Sequence, residues 1–108
     1  MRRLLIVEDN QDIIELLQSR IGITNFDLAV DFNSANDFLQ KNEYDLVVTD
    51  FYFPGGDGND VAEIAESKGW EVWLHTGDKY NTEIQTNLYN KIFEKLDRTM
   101  LKELDPTV

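Results

Sequence analysis

Three carboxylates, a hydroxyl and an ammonium in this chain each stand at the end of an apolar run. Glu8 and Asp9 follow Leu4-Leu5-Ile6-Val7, and Asp50 follows Leu46-Val47-Val48-Thr49. Thr76 and Gly77 follow Val72-Trp73-Leu74-His75, and Lys95 follows Ile92-Phe93-Glu94. Gathered at one point, these groups would make a Mg2+-assisted phosphoryl-transfer site. Carboxylates crowded together repel one another. At an effective dielectric near 20, each ionised pair about 4 Å apart costs roughly 4 kcal/mol. Such a cluster must hold a proton or a cation. Mg2+ suits an all-oxygen set of one or two carboxylates, a backbone carbonyl and a phosphate oxygen. The carbonyl of Tyr52, two residues past Asp50, is placed to be that backbone ligand. With the metal present, Asp50 is a usable nucleophile toward phosphorus, giving an aspartyl phosphate. Lys95, the Thr76 hydroxyl and the Gly77 N–H would then stabilise charge on the phosphoryl oxygens.

The elements that must position these groups alternate along the chain. Leu4–Val7 is a continuous apolar run, as expected of a strand buried on both faces. Asn10 caps a helix carrying Ile13, Ile14, Leu16, Leu17 and Ile21, and Gly22 stops it. Phe26–Phe32 alternates as a second strand. Asn33 or Ser34 then caps a helix with Ala35, Phe38 and Leu39. Tyr44–Thr49 is a third strand, and Pro54-Gly55-Gly56-Asp57-Gly58 a turn-rich loop. Asp57 caps a helix with Val61, Ala62, Ile64 and Ala65, which ends at Gly69. Trp70–His75 is a fourth strand. Thr82–Tyr89 is a weak helix with only Ile84, Leu88 and Tyr89 as apolar anchors. Ile92-Phe93 is a short fifth strand. Asp97 caps a last helix with Met100, Leu101 and Leu104, and Pro106 closes the chain.

This βαβαβαβαβα pattern calls for an α/β fold with parallel strands and right-handed crossovers. Five strands fit a doubly wound sheet of order 2-1-3-4-5 with helices on both faces. In that order the first and third strands are neighbours at the switch point, where such folds bind ligands. Glu8, Asp9 and Asp50 would meet there.

Composition narrows the function further. The 108 residues suit one domain, and the formal net charge is −11. A surface this acidic repels phosphate backbones and anionic lipid, which argues against direct nucleic-acid or membrane binding. There is no cysteine and a single histidine, His75, so thiolate and multi-histidine metal sites are excluded. No apolar stretch is long enough to span a membrane, and the start is too short for a signal peptide. A cytoplasmic location is expected.

Taken singly, each signal is weak. Glu8-Asp9 alone is most simply a solvated turn, Asp50 a turn cap, and Lys95 a surface lysine. His75 is most simply a strand residue facing a helix. Trp70 and Trp73 read as packing residues, and Tyr52 as the aromatic at the mouth of the site. The joint occurrence of the polar signals, in this order and after strands, carries the argument.

Together these residues resemble a response-regulator (CheY-like) receiver domain of bacterial two-component signalling, over essentially the whole of residues 1–108. Leu4-Leu5-Ile6-Val7-Glu8-Asp9-Asn10 is similar to the family's opening strand and acidic pair. Asp50-Phe51-Tyr52-Phe53-Pro54-Gly55-Gly56-Asp57-Gly58 resembles its phosphoacceptor loop. Leu74-His75-Thr76-Gly77 resembles its switch hydroxyl with a small residue after it, and Phe93-Glu94-Lys95 its phosphate-binding lysine. The resemblance implies a flavodoxin-like sheet and phosphorylation of Asp50 by a histidine kinase or histidine phosphotransfer protein. It implies Mg2+ on Asp9, Asp50 and the Tyr52 carbonyl, with Glu8 acting mainly through water. A downstream protein target would read the phosphorylated form.

Several departures bear on this. Leu96 stands where the family usually has a proline, commonly with a cis peptide. A non-proline cis bond costs about 3 kcal/mol, so a trans bond and a different aim of Lys95 are expected. Ile92 occupies the position of the family's switch aromatic, which implies altered Thr/Tyr coupling. The shortened Thr76–Lys95 segment weakens the family's usual dimerisation face, so a monomer or weak dimer is expected. Tyr52 is bulky beside the phosphoryl position and would shield it from water.

The leading expectation is a stand-alone receiver with no output domain, serving as a binding module or phosphorelay intermediate. Its only chemistry would be self-phosphorylation and autodephosphorylation. The alternative is a pseudo-receiver, a constitutive adaptor that takes up no phosphoryl group. A haloacid-dehalogenase-like phosphatase is disfavoured, because Tyr52 stands where that class has a second aspartate and there is no cap insertion.

Overall fold

The computed structural model describes residues 3–21 and 25–105. In chain order the elements are β1 (Leu4–Val7), α1 (Gln11–Arg20), β2 (Phe26–Ala29), α2 (Phe32–Lys41) and β3 (Leu46–Thr49). There follow β4 (Tyr52–Phe53), β5 (Gly56–Asp57), α3 (Gly58–Ser67), β6 (Glu71–Thr76), β7 (Lys91–Glu94) and α4 (Arg98–Leu104). Five strands form one parallel sheet in the order β2-β1-β3-β6-β7, and β4 and β5 make a separate small hairpin. Numbered by occurrence in the large sheet, the order is 2-1-3-4-5, the flavodoxin-like arrangement.

Side-chain alternation along the strands separates two cores. Leu5, Val7, Val47, Val72 and Leu74 pack with Ala35 and Leu39 of α2 and Val61, Ala62 and Ala65 of α3. Leu4, Ile6, Leu46, Val48 and Trp73 pack with Leu17 of α1 and Met100, Leu101 and Leu104 of α4. Both faces of β1 and β3 are therefore covered, which is why those strands are apolar throughout. In α1 the buried stripe is Ile14 and Leu17, while Leu16 is exposed.

The register of the central strands fixes the site. Val7 lies level with Thr49, and Thr49 with Leu74. The residues just beyond Val7 and Thr49 therefore emerge together at the carboxyl edge. The backbone N–H of Asp50 donates to the Val7 carbonyl at 2.8 Å, extending that contact past the strands.

Helix caps match expectation at three ends. Asn10 accepts from the N–H groups of Asp12 and Ile13, Asp57 from Asp60, and Asp97 from Thr99 and Met100. At α2 the cap lies elsewhere. Asp31 accepts from the Ser34 N–H at 2.7 Å, and Ser34 Oγ takes the reciprocal place in the capping box. This cap draws Phe32 into the helix, and β2 ends at Ala29 instead of reaching Phe32. The expected helix over Thr82–Tyr89 is absent. Only a 3-10 turn, Thr86–Leu88, forms there. Three apolar anchors are too few to hold a helix, and Asn59 of α3 binds the local backbone instead. The loop after β3 contains the β4–β5 hairpin, which the turn-rich composition did not foretell. The edges of β3, β6 and β7 differ by one or two residues from the apolar runs. Gly22 and Pro106, read as a helix stop and a chain closer, lie outside the described residues.

Candidate functional site

Glu8, Asp9, Asp50, Thr76, Gly77 and Lys95 all lie at the carboxyl edge of the sheet. Asp50, Thr76, Gly77 and Lys95 line a cleft of about 630 Å³, with Tyr52 at its rim. One carboxylate oxygen from each of Glu8, Asp9 and Asp50 lies within 4.8 Å of the others. Glu8 is fully buried, Asp50 is 6% exposed, and Asp9 is open to solvent. Asp50 continues the buried side of β3. Its Oδ1 accepts the Phe51 N–H at 2.7 Å, which leaves Oδ2 turned to the lysine.

Lys95 closes the cluster. Its Nζ donates to Asp50 Oδ2 at 3.0 Å and to Glu8 Oε1 and Oε2 at 2.9 and 3.2 Å. The trans peptide expected before Leu96 is present, and Lys95 reaches Asp50 and Glu8 with it. No described peptide bond is cis, and Leu96 takes a left-handed φ of 58°. The Lys95 N–H holds the Thr76 carbonyl at 3.2 Å, so the turn at Leu96 begins after the lysine has been placed. Leu96 also packs into the α1/α4 core.

These contacts set the electrostatics. Burial, and after it the Glu8 charge, raise the Asp50 carboxyl above the ordinary aspartate range, with Lys95 opposing both. Burial alone would lower Lys95. Its hydrogen bonds to Glu8 and Asp50 more than offset this and hold the ammonium above the ordinary lysine value. The Lys95 ammonium thus occupies the role that crowded carboxylates require of a cation. Glu8 is further engaged by the Asn10 N–H at 3.0 Å.

His75 stands closer to this chemistry than its sequence context suggests. It is fully buried, and its Nε2 lies 3.5 Å from Glu8 Oε1. Burial pushes its pKa down to about 4, against the pull of the Asp50 charge, so the imidazole is neutral near pH 7. Neither ring nitrogen has a hydrogen-bond partner among the described residues. Trp70 and Trp73 are packing residues, against Tyr44 and Phe93 respectively.

The loop below the acceptor is tightly built. Gly58 donates its N–H to the Phe51 carbonyl at 2.7 Å. A Cβ on Gly58 would come within 2.8 Å of the Asp50 carbonyl and 2.9 Å of the Tyr89 hydroxyl, so only glycine fits. At Gly77 a Cβ would meet nothing, and the cleft is open there. Ile92, at the position of the family's aromatic, is half-buried against the α2/α3 core. Sequence reasoning missed Asn59, which accepts from the Gln85 N–H and the Tyr89 hydroxyl and donates to the Glu83 carbonyl. It also missed Asp78 and Asn81, which join the wall of the cleft. Polar residues in a loop carry no spacing signal that could have singled these out.

The donor set fits a hard divalent cation. All its members are oxygens, Asp50 lines the cleft with the exposed Asp9 carboxylate beside it, and three neighbouring carboxylates present more negative charge than one lysine offsets. No helix among the described residues is long and apolar enough to cross a membrane.

Known structures share this architecture. The response regulator TrrA from Thermotoga maritima, in complex with Mg2+ and BeF, is 26% identical with a TM-score of 0.78. The match covers 96% of this chain and 99% of that one. A CheY-like receiver domain from Methylobacillus flagellatus is 19% identical with a TM-score of 0.78, covering 97% and 99%. The Mn2+-bound response regulator Rcp1 is 22% identical with a TM-score of 0.76, covering 98% and 91%. At such identities the last two establish the fold alone. The family model of the response regulator receiver domain matches residues 4–104, nearly the whole chain. With its acidic cluster at the switch point of a 2-1-3-4-5 sheet, this chain belongs to the receiver-domain family of two-component response regulators.

Proposed function

We propose that this receiver accepts a phosphoryl group on Asp50 from a histidine kinase or histidine phosphotransfer protein and thereby controls its binding to a downstream protein. The observation that carries the proposal is the placement of Lys95 Nζ, 3.0 Å from Asp50 Oδ2 in an open cleft beside Asp9. Oδ2 attacks the phosphorus of a phosphohistidine, the P–N bond breaks, and the imidazole nitrogen keeps the electron pair and takes a proton. Mg2+, held by Asp9, Asp50 and the Tyr52 carbonyl, would neutralise charge on the phosphoryl oxygens. Glu8, buried behind Asp50 and tied to Lys95, would act on the metal through water. Lys95 exchanges its contact with Asp50 for one with a phosphoryl oxygen. The Thr76 hydroxyl and Gly77 N–H approach from β6. Each of these would serve as a donor to the charge that develops on the phosphoryl oxygens.

Phosphorylation adds charge at Asp50 and shifts a pre-existing equilibrium of the segment beyond Thr76. The reading includes action as a phosphorylation-controlled binding module or a phosphorelay intermediate.

One observation favours a second reading. Ile92 is wedged into the core where a swinging aromatic would be needed, which suits a constitutive adaptor. Intact-mass spectrometry after incubation with acetyl phosphate and Mg2+ separates the two. A single phosphoryl adduct that needs Mg2+ and disappears in Asp50→Asn is expected. No adduct in the native protein would favour the adaptor.

A further inference from the structure

The peptide group joining Asp50 to Phe51 is held at both ends. Its N–H donates to Asp50 Oδ1 at 2.7 Å, and its carbonyl accepts from the Thr49 hydroxyl at 2.8 Å. The chain on either side is fixed as well. The Asp50 N–H donates to the Val7 carbonyl at 2.8 Å, and the Phe51 carbonyl accepts from the Gly58 N–H at 2.7 Å. Among these four contacts, the Thr49 hydroxyl alone comes from the side chain of a residue other than Asp50. Thr49 ends β3, level with Val7 of β1 and Leu74 of β6, and is fully buried. The carbonyl that it binds packs closely on Gly58, where a Cβ would come within 2.8 Å of it. Branching at Cβ stiffens the threonine side chain, so the hydroxyl is a fixed donor.

We infer that Thr49 is a positioning residue for the nucleophile. Its hydroxyl fixes the Asp50–Phe51 peptide plane, so that the Phe51 N–H holds Asp50 Oδ1 and Oδ2 is left to the cleft. This rests on Asp50 being the acceptor. A peptide group is planar, so its carbonyl and N–H turn together. Pinning the carbonyl therefore sets the direction of the N–H, and the N–H sets the plane of the carboxylate. Oδ1 is then engaged, and Oδ2 lies 3.0 Å from Lys95 Nζ at the cleft. Attack on phosphorus needs an oxygen held in line with the bond that breaks, and such orientation carries a large share of the barrier. Without the hydroxyl, the Asp50 carbonyl loses a donor, and the peptide tilts to recover one. The tilt carries the Phe51 N–H off Oδ1 and frees the carboxylate about its last torsion, which is soft in aspartate. Thr49 lies behind the acceptor and acts only through this peptide.

The test compares native protein with Thr49→Val, Thr49→Ala and Thr49→Ser. Each is incubated with phosphoramidate and saturating Mg2+, and the initial rate of adduct formation is read by intact mass. The Phe51 amide proton is followed by NMR in the same proteins. Thr49→Val keeps the shape and the strand preference and removes the hydroxyl. Thr49→Ala removes the hydroxyl too and repeats the test should valine disturb the strand end. Thr49→Ser keeps the hydroxyl and loses the methyl. One neutral hydrogen bond commands about a two- to tenfold change in the population of the oriented peptide. Thr49→Val and Thr49→Ala are expected to form adduct more slowly by that factor, with the Phe51 proton moving upfield as its bond to Oδ1 loosens. Thr49→Ser should stay near native in both readouts. A packing role would group the variants differently, slowing Thr49→Ser and Thr49→Ala and sparing Thr49→Val. That grouping, native rates in both Thr49→Val and Thr49→Ala, or an unmoved Phe51 proton would each overturn the role of Thr49 while leaving Asp50 as acceptor. No adduct in the native protein would overturn the acceptor reading and the role of Thr49 with it.

Discussion

Lys95 is the residue on which the site's charges depend. Lys95→Met would leave the Glu8 and Asp50 carboxylates facing each other without their shared cation. Removing one partner of a buried ion pair typically costs about 3–5 kcal/mol. Lys95 is 23% exposed, so water softens the loss, and about 2 kcal/mol in urea denaturation is expected. Millimolar Mg2+ should restore more stability to this variant than to the native protein. His75 provides a second residue-scale test. Its imidazole takes up a proton near 6.5 when unfolded but only near 4 when folded. Between those values the unfolded state binds more protons, so stability falls as pH drops. The expected loss from pH 7 to pH 5 is about 2 kcal/mol. Asp50, whose pKa is raised, works in the opposite direction, so the effect is read as a difference. His75→Gln should show a flatter stability profile than native protein across that range. Parallel profiles would refute the assignment. His75 was read as a strand residue, and it is one. Its proximity to Glu8 came only with the register of β6 against β3.

Among the elements, the segment from Thr76 to Lys91 differs most from a regular α/β crossover. Instead of a helix it carries a 3-10 turn and borrows its order from α3 through Asn59. Asn59→Ala would leave the Gln85 N–H, the Glu83 carbonyl and the Tyr89 hydroxyl without their partner. Stranding such groups costs about 1–3 kcal/mol. A destabilisation of that size is expected in chemical denaturation, together with faster amide exchange at Gln85. If Gln85 exchange were unaffected, Asn59 would not be what holds the segment. The weakness of this helix was legible, because Ile84, Leu88 and Tyr89 are its only apolar anchors. What replaced it was not, because the Asn59 contacts span 24 to 30 residues of sequence. The turn at Leu96 teaches a similar lesson. A missing proline suggested a misdirected lysine, but the backbone absorbs the change one residue later at φ 58°.

At the scale of the whole molecule, a net charge of −11 and three carboxylates at one sheet edge oppose compaction. A cation bound there stabilises the folded state by mass action. Thermal melting should therefore shift upward in millimolar Mg2+, and the shift should be lost in an Asp9→Asn, Asp50→Asn double variant. An equal shift in that variant would mean general screening and not a site. Much of this molecule was determined by the sequence alone. Apolar runs interleaved with amphipathic helices admit few arrangements other than a doubly wound parallel sheet. In that topology Glu8, Asp9, Asp50, Thr76 and Lys95 must share one edge, because each stands at or just past the carboxyl end of a strand. Caps at Asn10, Asp57 and Asp97 were legible for the same reason, since a cap acts within three residues. The tertiary structure alone decided the rest. Lys95 lies between Glu8 and Asp50, His75 is buried beside Glu8, Asn59 replaces a helix, and Asn81 donates to the Tyr52 hydroxyl. These are contacts between residues distant in sequence. They depend on side-chain direction and distances of a few Å, which no local pattern of residue types encodes.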